Sequence, residues 1–93
     1  MTIKPKSNQH SETKKNSPFE LILLNDDVHS FDFVIEKLIA HCSHGPEQAE
    51  QCALITHEKG ECSVLLGSEE KIGLAARKLA VDGLLVDVRK ILV

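Results

Sequence analysis

Two periodicities alternate along this chain, and the alternation limits its possible folds more than any other feature. Phe19-Glu20-Leu21-Ile22-Leu23-Leu24 is a short apolar run closed by Asn25-Asp26-Asp27, the pattern of a strand stopped by a turn. Directly afterwards Phe31, Val34, Ile35, Leu38 and Ile39 stand at i, i+3, i+4, i+7 and i+8, one face of a helix. Ser30 is its candidate cap, Asp32 suits its positive first turn, and Gly45 is expected just past its end. Pro46 fits the first position of a second helix, which offers only small side chains at Ala49, Cys52, Ala53 and Thr56 and stops before Lys59-Gly60. Cys62 to Leu66 reads as a second strand ended by Gly67. Ser68, Glu69 and Glu70 open a third helix with Ile72, Ala75, Ala76, Leu79 and Ala80 on its buried face, and Gly83 closes it. Leu84 to Val88 is the last strand, with Arg89 to Val93 as its continuation. The expected fold is α+β: a β-α-α-β-α-β domain with a three-stranded sheet and three helices packed on one face.

Length holds the chain to a single domain of 93 residues. Charge divides it in two. Residues 1–17 carry Lys4, Lys6, Lys14 and Lys15 against Glu12, and with a total of −3 the remainder is strongly acidic. Their few hydrophobes predict a disordered basic tail, with residues 18–93 as the folded body. No apolar run approaches the roughly 18 residues of a membrane span. No apolar stretch follows the first lysines as in a secretory leader. Three cysteines without a CxxC fit a reducing cytoplasm. An acidic body without Trp or Tyr argues against nucleic acid as partner.

The turn Asn25-Asp26-Asp27 is the most unusual stretch. Asn and Asp are ordinary turn formers, and taken alone that reading outweighs a functional one by roughly several to one. Yet the cluster gathers acceptors where a strand opens onto a helix, and His57 lies near the end of the second helix, within reach of the same corner in a small domain. Carboxylates, an amide oxygen and a neutral imidazole together suit an ammonium ion. A metal site is the rival, because His41, Cys42, His44, Cys52, His57 and Cys62 are zinc-type ligands. Their spacing matches no standard zinc pattern, so no metal or other cofactor is expected. Cys52 and Cys62 read as small buried hydrophobes, and His41 and His44 as cations at a helix C-terminus.

The runs LILLNDDVHSFDFVIEKL, LITHEKGEC and SEEKIGLAARKLA, followed by a final apolar strand, resemble the ClpS family, adaptors of the Clp AAA+ protease. The resemblance covers about residues 18–90. Asn25, Asp26, Asp27, Phe33, Val34, His57 and Gly60 match the family pattern in order. It implies the same fold and a non-enzymatic peptide-binding adaptor that delivers substrate proteins to the N-terminal domain of a Clp chaperone. Asn25, Asp26 and His57 would then hold a free α-amino group. His29, Phe31, Val34, Ala53 and Thr56, with Leu84 or Leu85, would line the pocket for a large hydrophobic first side chain. Glu70 and Lys71 would carry the chaperone contact, and the family suggests a monomer.

The chain departs from the family pattern at the pocket. Ser30-Phe31 replaces a proline-methionine pair, Ala53 replaces a second methionine, and His29 stands where threonine is common. The loop before the third helix is shorter than usual. Glu69, Glu70 and Lys71 are equally accounted for by helix capping. Alternatives therefore stay open: a ClpS-like fold without N-terminus binding, a domain like that of the ribosomal stalk protein, or a small thiol- or metal-dependent hydrolase using His57 and a cysteine.

Overall fold

The computed structural model describes residues 18–92, in the order β1 (Phe19–Leu24), α1 (Phe31–His41), α2 (Pro46–Lys59), β2 (Glu61–Gly67), α3 (Glu69–Val81) and β3 (Val86–Lys90). The basic segment 1–17, expected to be a tail, lies outside the described residues. The sheet runs β2-β1-β3, with β1 antiparallel to both neighbours. Leu21 and Leu23 of the central strand share one core with Leu38 of α1 and its C-cap Cys42, Ala49 and Cys52 of α2, and Ile72, Ala75 and Leu79 of α3. This is the α+β architecture that the two periods predict. No described helix is long and apolar enough to cross a membrane.

Local chemistry sets the helix ends. The Ser30 hydroxyl accepts from Phe33 N (3.1 Å) and the Ser68 hydroxyl from Lys71 N (3.1 Å), satisfying donors that have no partner within their helices. Pro46 opens α2, and Gly60 closes it in the left-handed conformation (φ +94°), its N–H returned to the Thr56 carbonyl (2.9 Å). Gly45, expected just past the end of α1, instead precedes α2 as its N-cap, and Ser43 takes the left-handed turn between the helices (φ +59°). Lys59 belongs to α2, and β3 starts at Val86 rather than at Leu84. The bonding of the two residues before it shows how the strand begins. Leu84 is held back as part of the cap of α3, its N–H donated to Leu79 O (3.1 Å), and Leu85 is tied to β1 only through its carbonyl, which accepts from Leu24 N (2.9 Å).

Register irregularity gives His44 a function the sequence reading did not assign. β1 pairs Leu21 with Leu65 and Ile22 with Ser63, so Val64 is the extra residue of a bulge in β2. Its carbonyl accepts from His44 Nε2 at 2.6 Å, and His44 is buried. His44 is thus a tie from the α1–α2 loop to the bulge and stands outside the last turn of α1. His41 does sit in the last turn of α1, with Nε2 3.0 Å from Asp82 Oδ2 at the end of α3.

The far face of the sheet is closed differently. Ile22 is only 3% exposed, yet it is not part of the helix-side cluster. Arg89 of β3 pairs with Glu20 in register and Glu61 of β2 with Leu24. The Arg89 guanidinium bonds both Glu61 oxygens (3.0 and 3.2 Å), so the pair crosses the central strand diagonally above Ile22. Hydrogen bonding from Arg89 holds the Glu61 carboxyl below its ordinary value.

Candidate functional site

The end of β1 is stitched to two other elements. Asn25 N donates to Gly60 O (3.0 Å), drawing in the end of α2 that carries His57, and Leu24 N donates to Leu85 O, drawing in the turn that carries Leu84. Around this junction lies a cavity of about 390 Å³. Its floor is buried and apolar: Leu23, Ala53 and Leu84, with half-buried Val34. Thr56 is also buried there, its hydroxyl donated to Cys52 O (2.8 Å) within its own helix. The mouth is exposed and polar, formed by Asn25, Asp27 and His57 with partly buried Asp26 and His29. Phe31, 40% exposed, is the aromatic edge of that mouth.

The residues expected to hold an α-amino group or line a first-residue pocket therefore stand on one cavity, with Leu84 and not Leu85 as the one that closes it. Glu70 and Lys71 stand elsewhere, exposed at the start of α3. The length of that helix, at 1.5 Å per residue, separates them from Leu84 by about 20 Å. The aliphatic stem of Lys71 lies against Gly67, whose missing Cβ would stand 2.9 Å from Lys71 Cδ. Leu23 and Leu24 line the cavity and were not singled out in the sequence, and Asp27, singled out with its turn as an acceptor, lines it too although the resemblance did not place it at the α-amino group. The strand-end position of the leucines was the available signal. For Asp27 there was only its place in the acidic turn.

The acidic residues of the turn differ in what they already bind. Asp26 Oδ1 accepts from Val28 N (2.8 Å) and His29 N (2.9 Å), and both carboxylate oxygens lie 3.2 Å from His29 Nδ1. Burial by itself pushes this carboxyl up. The two backbone N–H groups and the His29 ring outweigh it and hold Asp26 below the ordinary carboxylate value. Asp27 is exposed and takes no donor among the described residues. The corner thus presents one braced and one open carboxylate beside an amide and an imidazole.

Thiols take no part in it. No cysteine lines the cavity, and burial pushes the Cys42 thiol up to about 11 and the Cys62 thiol to about 12. Both are thereby held as unreactive thiols. Among the described residues, no group of three His, Cys, Asp or Glu side chains is placed to hold a metal ion.

A family described as "ATP-dependent Clp protease adaptor protein ClpS" matches residues 14–82. A ClpS adapter protein of Campylobacter jejuni (serotype O:23/36, strain 81-176) is 35% identical over 82 residues, covering 84% of this chain and 82% of that protein. One from Nitratidesulfovibrio vulgaris is 32% identical over 76 residues, 77% of this chain and 76% of that protein. Among solved structures, Agrobacterium tumefaciens ClpS2 bound to L-phenylalaninamide superposes with a TM-score of 0.77 at 18% identity, covering 81% of this chain and 98% of that one. At that identity the likeness speaks for the fold.

Proposed function

We propose, from the premise that this chain belongs to the ClpS family of Clp protease adaptors, that it binds the free N-terminus of substrate proteins and delivers them to a Clp AAA+ chaperone. The observation that carries the reading is the cavity, with an acceptor-rich mouth directly above an apolar floor. An N-terminal residue has the matching shape: an ammonium beside its own side chain. Asn25, Asp26, Asp27 and His57 supply acceptors for the ammonium, and burying a large apolar side chain below contributes about 1.5–3 kcal/mol. L-phenylalaninamide, the ligand of the Agrobacterium relative, is such a molecule.

The work is binding, not catalysis, and it takes place in the cytoplasm. The raised thiols of Cys42 and Cys62 argue against a cysteine nucleophile. Glu70 and Lys71 form the surface offered to the N-terminal domain of the chaperone. The basic segment 1–17 is an extension whose role belongs to delivery.

Titration with short peptides differing only in the first residue tests the reading. Phe, Trp, Tyr and Leu peptides bind, Ala peptides bind weakly, and N-acetylation abolishes binding. Failure of every free N-terminus to bind leaves a family member that keeps the fold and the chaperone contact alone.

A further inference from the structure

We propose, resting on the N-terminus reading above, that His29 is the positioning residue of the mouth: through Nδ1 it holds the Asp26 carboxylate, and its protonation weakens capture of an N-terminal ammonium. Three elements grip this ring. In the turn after β1, Nδ1 faces both oxygens of Asp26 at 3.2 Å. On α1, the ring stacks on Phe33 with centroids 4.9 Å apart and planes at 20°. At the end of α3, Gly83 leaves it room: a Cβ there would stand 3.1 Å from His29 Nε2. The side chain also lines the cavity. A ring fixed from three sides, with one nitrogen on a ligand-facing carboxylate, does more than fill space.

The tautomer follows from the contacts. A carboxylate only accepts, so the neutral ring carries its proton on Nδ1 and leaves Nε2 bare. In that state Asp26 stays ionised and, with Asp27, gives the mouth two negative charges. A further proton from solvent enters at Nε2 and makes the ring a cation. The cation pairs fully with Asp26, offsets one of those charges and repels the incoming ammonium. Histidine is the side chain whose charge changes between about pH 5 and 8.

The other ionisable groups around the ring are accounted for. Asp26 and Asp27 belong to the turn, and Asp32 lies on α1 in its first turn. Lys37 of α1 stands beyond the Phe33 ring, 5.2 Å from its centroid. His57 approaches from α2. Asp82, next to Gly83, is already engaged by His41 (3.0 Å) and Lys37 (3.5 Å). His57 adds its own acid sensitivity, so the test must isolate His29.

The test measures the affinity of a peptide with Phe first, for the full-length wild type, His29→Asn and His29→Ala, at about pH 7 and pH 5.5. The α-amino group of the probe, with a pKa of about 7.7–8.0, stays charged throughout. Asn places an amide N–H₂ where Nδ1–H stands, keeping the bond to Asp26 without titrating. Expected at pH 7 is about a tenfold loss for His29→Ala and a clearly smaller loss for His29→Asn, which keeps the bond to Asp26. Expected at pH 5.5 is that the wild type weakens by up to about tenfold more than His29→Asn. Equal pH dependence in wild type and His29→Asn, or wild-type affinity of a folded His29→Ala at pH 7, overturns the proposal and leaves the N-terminus reading standing. No binding by the wild type at either pH sinks that reading and the proposal with it.

Discussion

Asp26 receives two backbone N–H groups and an imidazole from the turn it begins, whereas Asp27 receives no donor among the described residues. Asp27→Asn is therefore expected to weaken peptide binding while changing stability by less than about 0.5 kcal/mol. Asp26→Ala removes the brace of the turn and costs about 2 kcal/mol, because hydrogen bonds to a charged acceptor are the stronger kind. The sign of its pH dependence follows from the lowered pKa. The folded form binds this proton less readily than the unfolded chain, so the stabilisation is present above the unfolded value near pH 3.9 and lost as pH falls through the folded one. Denaturant midpoints at pH 7 and below pH 3 check this: Asp26→Ala loses less stability on acidification than the wild type. His44 gives the second residue-scale prediction. Its bond to Val64 O satisfies the carbonyl of a bulge, and its Nδ1 is buried with no partner among the described residues. His44→Ala leaves that carbonyl unpaired and opens a cavity, an expected cost of about 2–4 kcal/mol in urea unfolding. His44→Gln, which keeps a donor, costs less.

Element by element, the junction of β1, α2 and the α3–β3 turn depends on two left-handed glycines with different surroundings. Gly60 (φ +94°) has open space where a Cβ would go, and its carbonyl anchors Asn25. Gly60→Ala is expected to cost about 1–2 kcal/mol from backbone strain alone, with Asn25 kept in place and peptide affinity nearly unchanged. Gly83 (φ +91°) is crowded by His29, so Gly83→Ala costs more, and the excess disappears in a His29→Ala background. Paired melting curves of the single and double variants read this difference. These glycines also mark what the sequence could and could not disclose. Periods of two and 3.6 residues, with Ser, Gly and Pro as punctuation, were enough for all six elements and their order. The nine residues expected at the site from the sequence converge on the cavity because each lies within about two turns of an element end at one corner. The bulge at Val64 was not legible, since an extra residue in a strand leaves no local signature until its partner strand is known. The same holds for the start of β3 and for the closure above Ile22, which needs Arg89 and Glu61 from strands that are not neighbours. Nor could composition distinguish Asp27 from Asp26, because what separates them is which one the turn consumes.

At the scale of the whole molecule, the proposed function makes α3 the bar that joins the two surfaces of an adaptor. One end runs into Gly83 and Leu84 at the cavity, and the other presents Glu70 and Lys71, about 20 Å away by helical rise. Ile72, Ala75 and Leu79 fix this helix in the single core, so a charge change at its exposed start has no direct path to the cavity. Lys71→Glu also spares the cap, since the Ser68 hydroxyl accepts from the backbone N–H of Lys71 and not from its side chain. The expected outcome is a separation of functions. Affinity for a peptide with Phe first stays within about twofold, because sites this far apart in one rigid core act nearly independently. Degradation of a reporter bearing the same first residue by the Clp chaperone-protease falls by about tenfold or more, as for one rim charge replaced by its opposite. A fall in peptide affinity would mean that the two surfaces communicate through α3. Undiminished delivery would mean that Glu70 and Lys71 only complement the helix dipole, and that the chaperone is met by another face.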